Sequence, residues 1–315
     1  MKGLDLQGSV SAATAPGLKR TAGTPGLAIW HRLSSQYRRR AKARMIASRL
    51  ATAGDRLLPN AVILGAQKAG TTTLFDLLAR HPFVLTSCIK EVHFFDLQQA
   101  RGLDWYRAHF PLARQAENLG SPGLHPVVLE ASPYYLFHPA VPARLTRVLP
   151  HARLIVLLRD PVARAWSHYW HERTRGYEWR SPEAALARES LRLAGEEERL
   201  LADQKYQSHA HRHFSYVGRS RYAAQLERWF AHFPREQVLV LRSEDLFSCP
   251  ATIVTKVLRF LGLAPPAEPD PQQWAGALNV GHYQPLPRAL RKHLGTQLEP
   301  ASEALRTLLG PAFSW

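Results

Sequence analysis

The chain has 315 residues, 45% of them hydrophobic, and a formal net charge of +16. That is enough apolar material for one large domain, or one domain with a tail, and no run approaches the length of a membrane span. Two cysteines, Cys88 and Cys249, allow a single disulfide and exclude a disulfide framework. The positive charge implies attraction to polyanions such as nucleotides or sulfated glycans, or serves only solubility.

Residues 1–58 read as a basic, flexible N-terminal extension. Gly, Ala, Ser and Thr come first, followed by "YRRRAKARMIASRL" (Tyr37–Leu50), with little acid to balance it. Such a stretch is a solvated tail, a targeting peptide, or a basic helix making peripheral contact with a membrane or polyanion. Residues 59–315 read as the globular domain.

In that domain, apolar runs of β type fall at "AVILG" (Ala61–Gly65), "PVVLEAS" (Pro126–Ser132), "RLIVLLRD" (Arg153–Asp160) and "QVLVLRSEDL" (Gln237–Leu246). A shorter strand-like piece is "PFVLT", before Lys90. Helical spacing appears between them, in "TTTLFDLLARH", "VPARLTRVLP", "RYAAQLERWFAHF" and "PATIVTKVLRFLGL". Near-continuous apolar strands alternating with helices predict an α/β fold with a central parallel β-sheet covered on both faces.

The first strand runs into "GAQKAGTTTL" (Gly65–Leu74). A tight strand-to-helix turn exposes unpaired backbone N–H groups at the positive end of the helix dipole, which favours an anion. Gly65 and Gly70 allow the turn and a close approach. Lys68 adds a cation, and Thr71, Thr72 and Thr73 add hydroxyls. The Gly spacing matches half of a nucleotide-triphosphate loop, but Thr71 stands where that loop has its Lys, which argues against ATP or GTP hydrolysis.

A second strand-to-helix passage is "LLRDPVARAWSHY". Asp160 suits the helix cap and Pro161 its first turn. Arg159 leaves the strand at its C-terminal end, where open α/β sheets bind ligands, and Ser167 lies two turns into the helix. An Arg and a hydroxyl together suit a second phosphate.

Two phosphate motifs at separate strand ends fit a nucleotide carrying phosphate at both its 5′ and 3′ positions. On these residues the sequence resembles the sulfotransferases that use 3′-phosphoadenosine 5′-phosphosulfate (PAPS). It is most similar to the heparan sulfate 3-O- and N-sulfotransferase branch and its bacterial relatives. "KEVHFFD" (Lys90–Asp96), "GLDWY", "EASPYYLFHP", "FPREQVLVLRSEDL" and "LLGPAFSW" follow in the family's order.

The resemblance implies a P-loop-like three-layer sandwich. It further implies that the loop from Gln67 through Lys68, Ala69 and Gly70 to Thr73 holds the 5′-phosphosulfate, and that Arg159 and Ser167 hold the 3′-phosphate. Glu91 takes the role of base, with His93 as the other candidate, and Lys68 steadies the leaving phosphate oxygen. PAPS is the expected co-substrate, with no metal. The expected acceptor is a hydroxyl or amine of a saccharide or other small molecule. Nucleic acid is not an expected partner, and the expected location is cytoplasmic.

Two features depart from the animal glycan enzymes. Ala131 stands where they carry a Lys. The late loop "ALNVGHYQPLP" lacks their Cys pair, leaving Asn279, Gly281 and Tyr283 as candidates to wrap the nucleotide. "SHAHRHF" (Ser208–Phe214) has no trusted metal-ligand spacing and reads as an exposed polar loop. The competing functions are an ATP-dependent small-molecule kinase and a non-catalytic polyanion-binding protein.

Overall fold

A computed structural model describes residues 35–119, 125–265 and 284–315. Asn279, Gly281 and Tyr283 therefore lie outside the described residues. The chain divides into two compact units, Met1–Met45 and Ile46–Trp315. The described part of the first begins helix α1 (Ser35–Leu50), with Tyr37, Arg40, Lys42 and Arg44 exposed.

The second unit begins earlier than the 58/59 boundary read from the sequence. Ile46 and Ala53 are buried, and Arg49 donates to the carbonyls of Ala108 at 2.5 Å and Phe110 at 2.6 Å. Arg56 donates to the same Phe110 carbonyl at 2.8 Å. Basic residues that look solvated in sequence thus satisfy backbone acceptors, which composition does not reveal.

Five strands form one parallel sheet, ordered β2-β3-β1-β4-β5: β1 (Ala61–Gly65), β2 (Val84–Thr86), β3 (Val127–Ala131), β4 (Arg153–Leu158) and β5 (Val238–Arg242). All of β1 and β3 is buried, as a sheet covered on both faces requires. Helices flank the sheet, and the helices of this unit include α2 (Thr71–Leu78), α3 (Val141–Val148), α4 (Pro161–Thr174), α5 (His209–His213), α6 (Tyr222–Phe230), α7 (Ser243–Ser248) and α8 (Pro250–Phe260). Leu74, Leu77, Leu145, Leu226, Trp229 and Val257 bring their apolar stripes into the core.

Two local readings change. The run expected to be strand from Gln237 to Leu246 splits, because Ser243 opens α7 with Glu244 and Asp245 in its first turn, where the helix dipole favours acids. The "SHAHRHF" stretch is the short helix α5, not an exposed loop. His211 and His213 are buried and hydrogen-bonded, to the Tyr134 hydroxyl at 2.7 Å and to Glu172 at 2.8 Å.

The topology also locates a cleft. From β1 the chain crosses outward to β2, and from β4 it goes the other way, to β5. Neighbouring strands whose connections diverge leave a crevice at their C-terminal ends, the usual ligand position in open parallel sheets. The loops carrying Lys68 and Arg159 both leave from that crevice.

Candidate functional site

The loop between β1 and α2 is shaped by space as much as by sequence. Gly70 has φ 93°. A Cβ on it would sit 2.9 Å from a ring carbon of Phe247, and one on Gly65 would sit 2.8 Å from Leu136 Cβ. Neither position admits a side chain without moving a neighbour. Within the loop, the Ala66 N–H donates to the Leu157 carbonyl at 2.7 Å and the Ala69 N–H to the Ala66 carbonyl at 3.1 Å. The N–H groups of Lys68 and Gly70 have no protein acceptor among the described residues. They stand at the N-terminus of α2, whose Thr71 and Thr73 are buried and whose Thr72 is half-buried.

Lys68 is half-buried, and no carboxylate among the described residues pairs with it. Burial, then the charges of Arg159 and Arg175, lower its pKa, while Glu172 and Glu91 offset this in part. A cation pressed by other cations is a place where an anion is favoured. Arg159 reaches into the same place, donating to the Lys68 carbonyl at 3.2 Å. The strand end behind it is fixed by the Tyr222 hydroxyl on the Arg159 carbonyl at 2.9 Å, and Asp160 caps α4 by accepting from the Ala163 N–H at 2.8 Å. Ser167 is buried further along α4. No hydrogen bond joins it to Arg159 among the described residues.

Gln67 is held from outside the loop. Its Oε1 accepts from Arg219 Nη1 at 2.5 Å. The Arg219 guanidinium is buried, lies 4.5 Å over the Tyr134 ring, and also donates to the Ser215 hydroxyl and to the carbonyls of His211 and Arg212. Arg219 was not among the candidates read from the sequence. In "YVGRSRY" it is one Arg among many, and only the fold shows it buried against the loop.

The second loop, Lys90–Asp96, follows β2. Glu91 and His93 both have positive φ, 63° and 55°. The Glu91 N–H donates to the Ala131 carbonyl at 3.0 Å, and Ala131 itself is fully buried at the end of β3. Lys90 Nζ lies 2.9 Å from Glu91 Oε1, and His93 Nε2 lies 3.5 Å from Glu91 Oε2. On its other side, His93 Nδ1 lies 2.6 Å from Asp96 Oδ2.

These contacts decide the charge states. Burial opposes the imidazolium, but the Asp96 and Glu91 carboxylates outweigh it and push the His93 pKa up to about 9. Burial likewise opposes the Glu91 carboxylate, yet hydrogen bonds and charge from His93 and Lys90 hold it well below the usual carboxylate range. At neutral pH Glu91 is therefore a carboxylate and His93 an imidazolium. An imidazolium has no lone pair for a proton. Of the two carboxyl groups on this loop, Asp96 is buried, and Glu91, its side chain 45% exposed, is the one open to solvent. Asp96 holds the charge and orientation of His93, and its signal in sequence was the spacing His93-x-x-Asp96. Phe94 stacks on Tyr106 at 4.4 Å and anchors the loop in the core.

The two loops face a common field. The charge of Glu91 reaches Lys68, and both reach His171 on α4, beside Glu172. Glu172 is buried and accepts from His213 at 2.8 Å. Among the described residues, no group of three or more His, Cys, Asp or Glu is arranged to hold a metal ion.

Fold and site together define a parallel α/β protein with a cationic, N–H-lined loop at its switch point and an ionised carboxylate within electrostatic reach of it. Residues 58–274 match the sulfotransferase domain family. The chain belongs to that family. It is 34% identical over 69% of its length to mouse heparan sulfate glucosamine 3-O-sulfotransferase 3B1, covering 50% of that protein. It is 27% identical over 82% of its length to the membrane-associated sulfotransferase kil1 of Dictyostelium discoideum, covering 66% of it. The chain thus spans between half and two thirds of the length of these relatives. A crystal structure of a sulfotransferase from Alicyclobacillus acidocaldarius superposes with a TM-score of 0.59 at 29% identity, over 80% of this chain and 96% of that one.

Proposed function

We propose that the protein transfers a sulfuryl group from PAPS to a hydroxyl or amine of a saccharide or other small acceptor. The observation that carries this reading is the cationic, N–H-lined loop around Lys68 lying within electrostatic reach of the ionised Glu91. The 5′-phosphosulfate occupies the loop from Gln67 to Thr73, and the 3′-phosphate lies toward Arg159 and Ser167. As the acceptor oxygen bonds to sulfur, the bond from sulfur to the phosphate oxygen breaks. That oxygen keeps the electron pair as adenosine 3′,5′-bisphosphate leaves. Lys68 stabilises the charge, and Glu91 takes the acceptor's proton. The Lys90 pair on Glu91 is partly exposed, so an acceptor hydroxyl can displace it.

The proposal includes a cytoplasmic location and, through the exposed basic residues of α1, peripheral contact with an anionic surface. The test is stabilisation by adenosine 3′,5′-bisphosphate, followed by transfer of radiolabelled sulfate from PAPS to a panel of acceptors. Stabilisation by the bisphosphate, weakened in Arg159→Ala, is expected. Stabilisation only by ATP with magnesium would support the kinase reading instead.

A further inference from the structure

We propose that ionised Glu130 is the positioning residue of the Glu91–His93 loop, acting through the hydroxyls of Ser132 and Tyr135. This rests on the functional reading above and deepens it. Glu130 is fully buried on β3, opposite the apolar Val62 of β1. Its carboxylate accepts three hydroxyl donors: Tyr135 at 2.8 Å and Ser132 at 3.0 Å on Oε1, and Tyr106 on Oε2. Two of those hydroxyls pass the restraint on. Ser132 Oγ accepts from the His93 N–H at 3.1 Å, and the Tyr135 hydroxyl accepts from the N–H groups of Phe94 at 2.8 Å and Phe95 at 3.3 Å.

Three consecutive amides of the acceptor loop are therefore pinned by hydroxyls whose own protons point at one carboxylate. A hydroxyl that must donate to Glu130 presents its lone pairs to the loop. This matters where Glu91 and His93 sit at positive φ, a conformation that costs free energy and persists only when neighbours enforce it.

The ionised form suits this arrangement, because all three hydroxyl protons can then point at the carboxylate. A protonated Glu130 must donate its own hydrogen to one of the three hydroxyl oxygens, whose proton then turns away, and where that oxygen belongs to Ser132 or Tyr135 the loop loses part of its restraint. Burial is the largest influence on this carboxyl; the three hydroxyls oppose it, and the nearby charge of Asp96 adds to it, leaving its pKa raised to about 7. Among the described residues, the groups that act on it most are Tyr106, Tyr135, Ser132 and, from the loop after β2, Asp96. Glu130 thus loses its proton near neutrality, and the loop gains its restraint in the same range.

The experiment compares wild type with Glu130→Gln and, in case that variant does not fold, Tyr135→Phe. Hydrogen exchange at about pH 8 reads the pinning without needing any sulfate transfer. The amides of His93, Phe94 and Phe95 should exchange faster in Glu130→Gln, and those of Phe94 and Phe95 faster in Tyr135→Phe, while β1 amides keep their protection. Unchanged protection at these amides overturns the proposal. Kinetics then read the consequence. We expect kcat to fall by about 10²-fold, the cost of misplacing a reacting group, with the Kd for adenosine 3′,5′-bisphosphate unchanged. In wild type kcat should rise through about pH 7, and Glu130→Gln should lack that limb. Loss of activity with intact loop protection, or an acid limb that survives in Glu130→Gln, overturns it. Absence of sulfate transfer in wild type would instead defeat the functional reading, and the exchange result would still decide the role of Glu130.

Discussion

The loops after β1 and β2 meet the same cleft but are built on opposite electrostatic terms. Around Lys68 the cations of Arg159 and Arg175 crowd together, and no carboxylate among the described residues pairs with Lys68. Around Glu91 every charge is answered, by Lys90, His93 and Asp96 in turn. A loop left in excess positive charge suits an anion that arrives from outside. A loop of compensated charges suits a group that must stay ionised and aimed before the acceptor comes. In the proposed reaction this difference gives donor binding to one strand end and proton transfer to the other.

Variants that act on one loop and spare the other sharpen this division. The largest expected effect is on the acceptor side. Glu91→Gln should lower kcat by about 10²–10⁴, the span of general-base help, while the bisphosphate binds as in wild type. Full turnover in that variant would move the proton elsewhere. Lys68→Ala follows, with a loss of about 10²–10³ in rate and weaker donor binding. Equal effects on donor and acceptor KM would blur the division between the loops.

Arg219→Lys should be milder. A Lys cannot keep the several donors that Arg219 spends on Gln67, Ser215 and two carbonyls. Calorimetry should show the bisphosphate Kd weakened about tenfold, or about 1.4 kcal/mol, with kcat for bound donor little changed. The smallest effect is on stability against pH. The pKa of His93 in the fold is raised to about 9 from an ordinary 6.5. Its contribution is therefore fully present below about pH 6.5 and is lost as pH rises through about 9. Asp96→Asn should flatten that alkaline decline in denaturant unfolding. An unchanged decline would detach His93 from Asp96.

The same contrast explains what the sequence made legible. The loop after β1 declares itself because its parts are consecutive. Glycines needed by space, a Lys and hydroxyls at a helix start all fall between Gly65 and Thr73, just after a strand whose burial on both faces shows as an unbroken apolar run. The loop after β2 shows its charged groups in "KEVHFFD", but not what holds it. Ser132, Tyr135 and Glu130 come from β3 and the turn after it, and they meet the loop only because β3 lies between β2 and β1. Arg219 is hidden in the sequence for the same reason. Its partner Gln67 is far away in sequence, and a buried Arg reads like a surface one. The early edge of the second unit was hidden by composition, since Arg49 and Arg56 look solvated until their acceptors at Ala108 and Phe110 are in view.

The division between the loops rests on where the nucleotide binds, and one titration reads that directly. Adenosine 3′,5′-bisphosphate is titrated calorimetrically into wild type, Arg159→Ala and Glu91→Gln under the same conditions. The account predicts binding in wild type, clear weakening in Arg159→Ala, and an unchanged Kd in Glu91→Gln. No binding in wild type, or an affinity indifferent to Arg159 and dependent on Glu91, would contradict it.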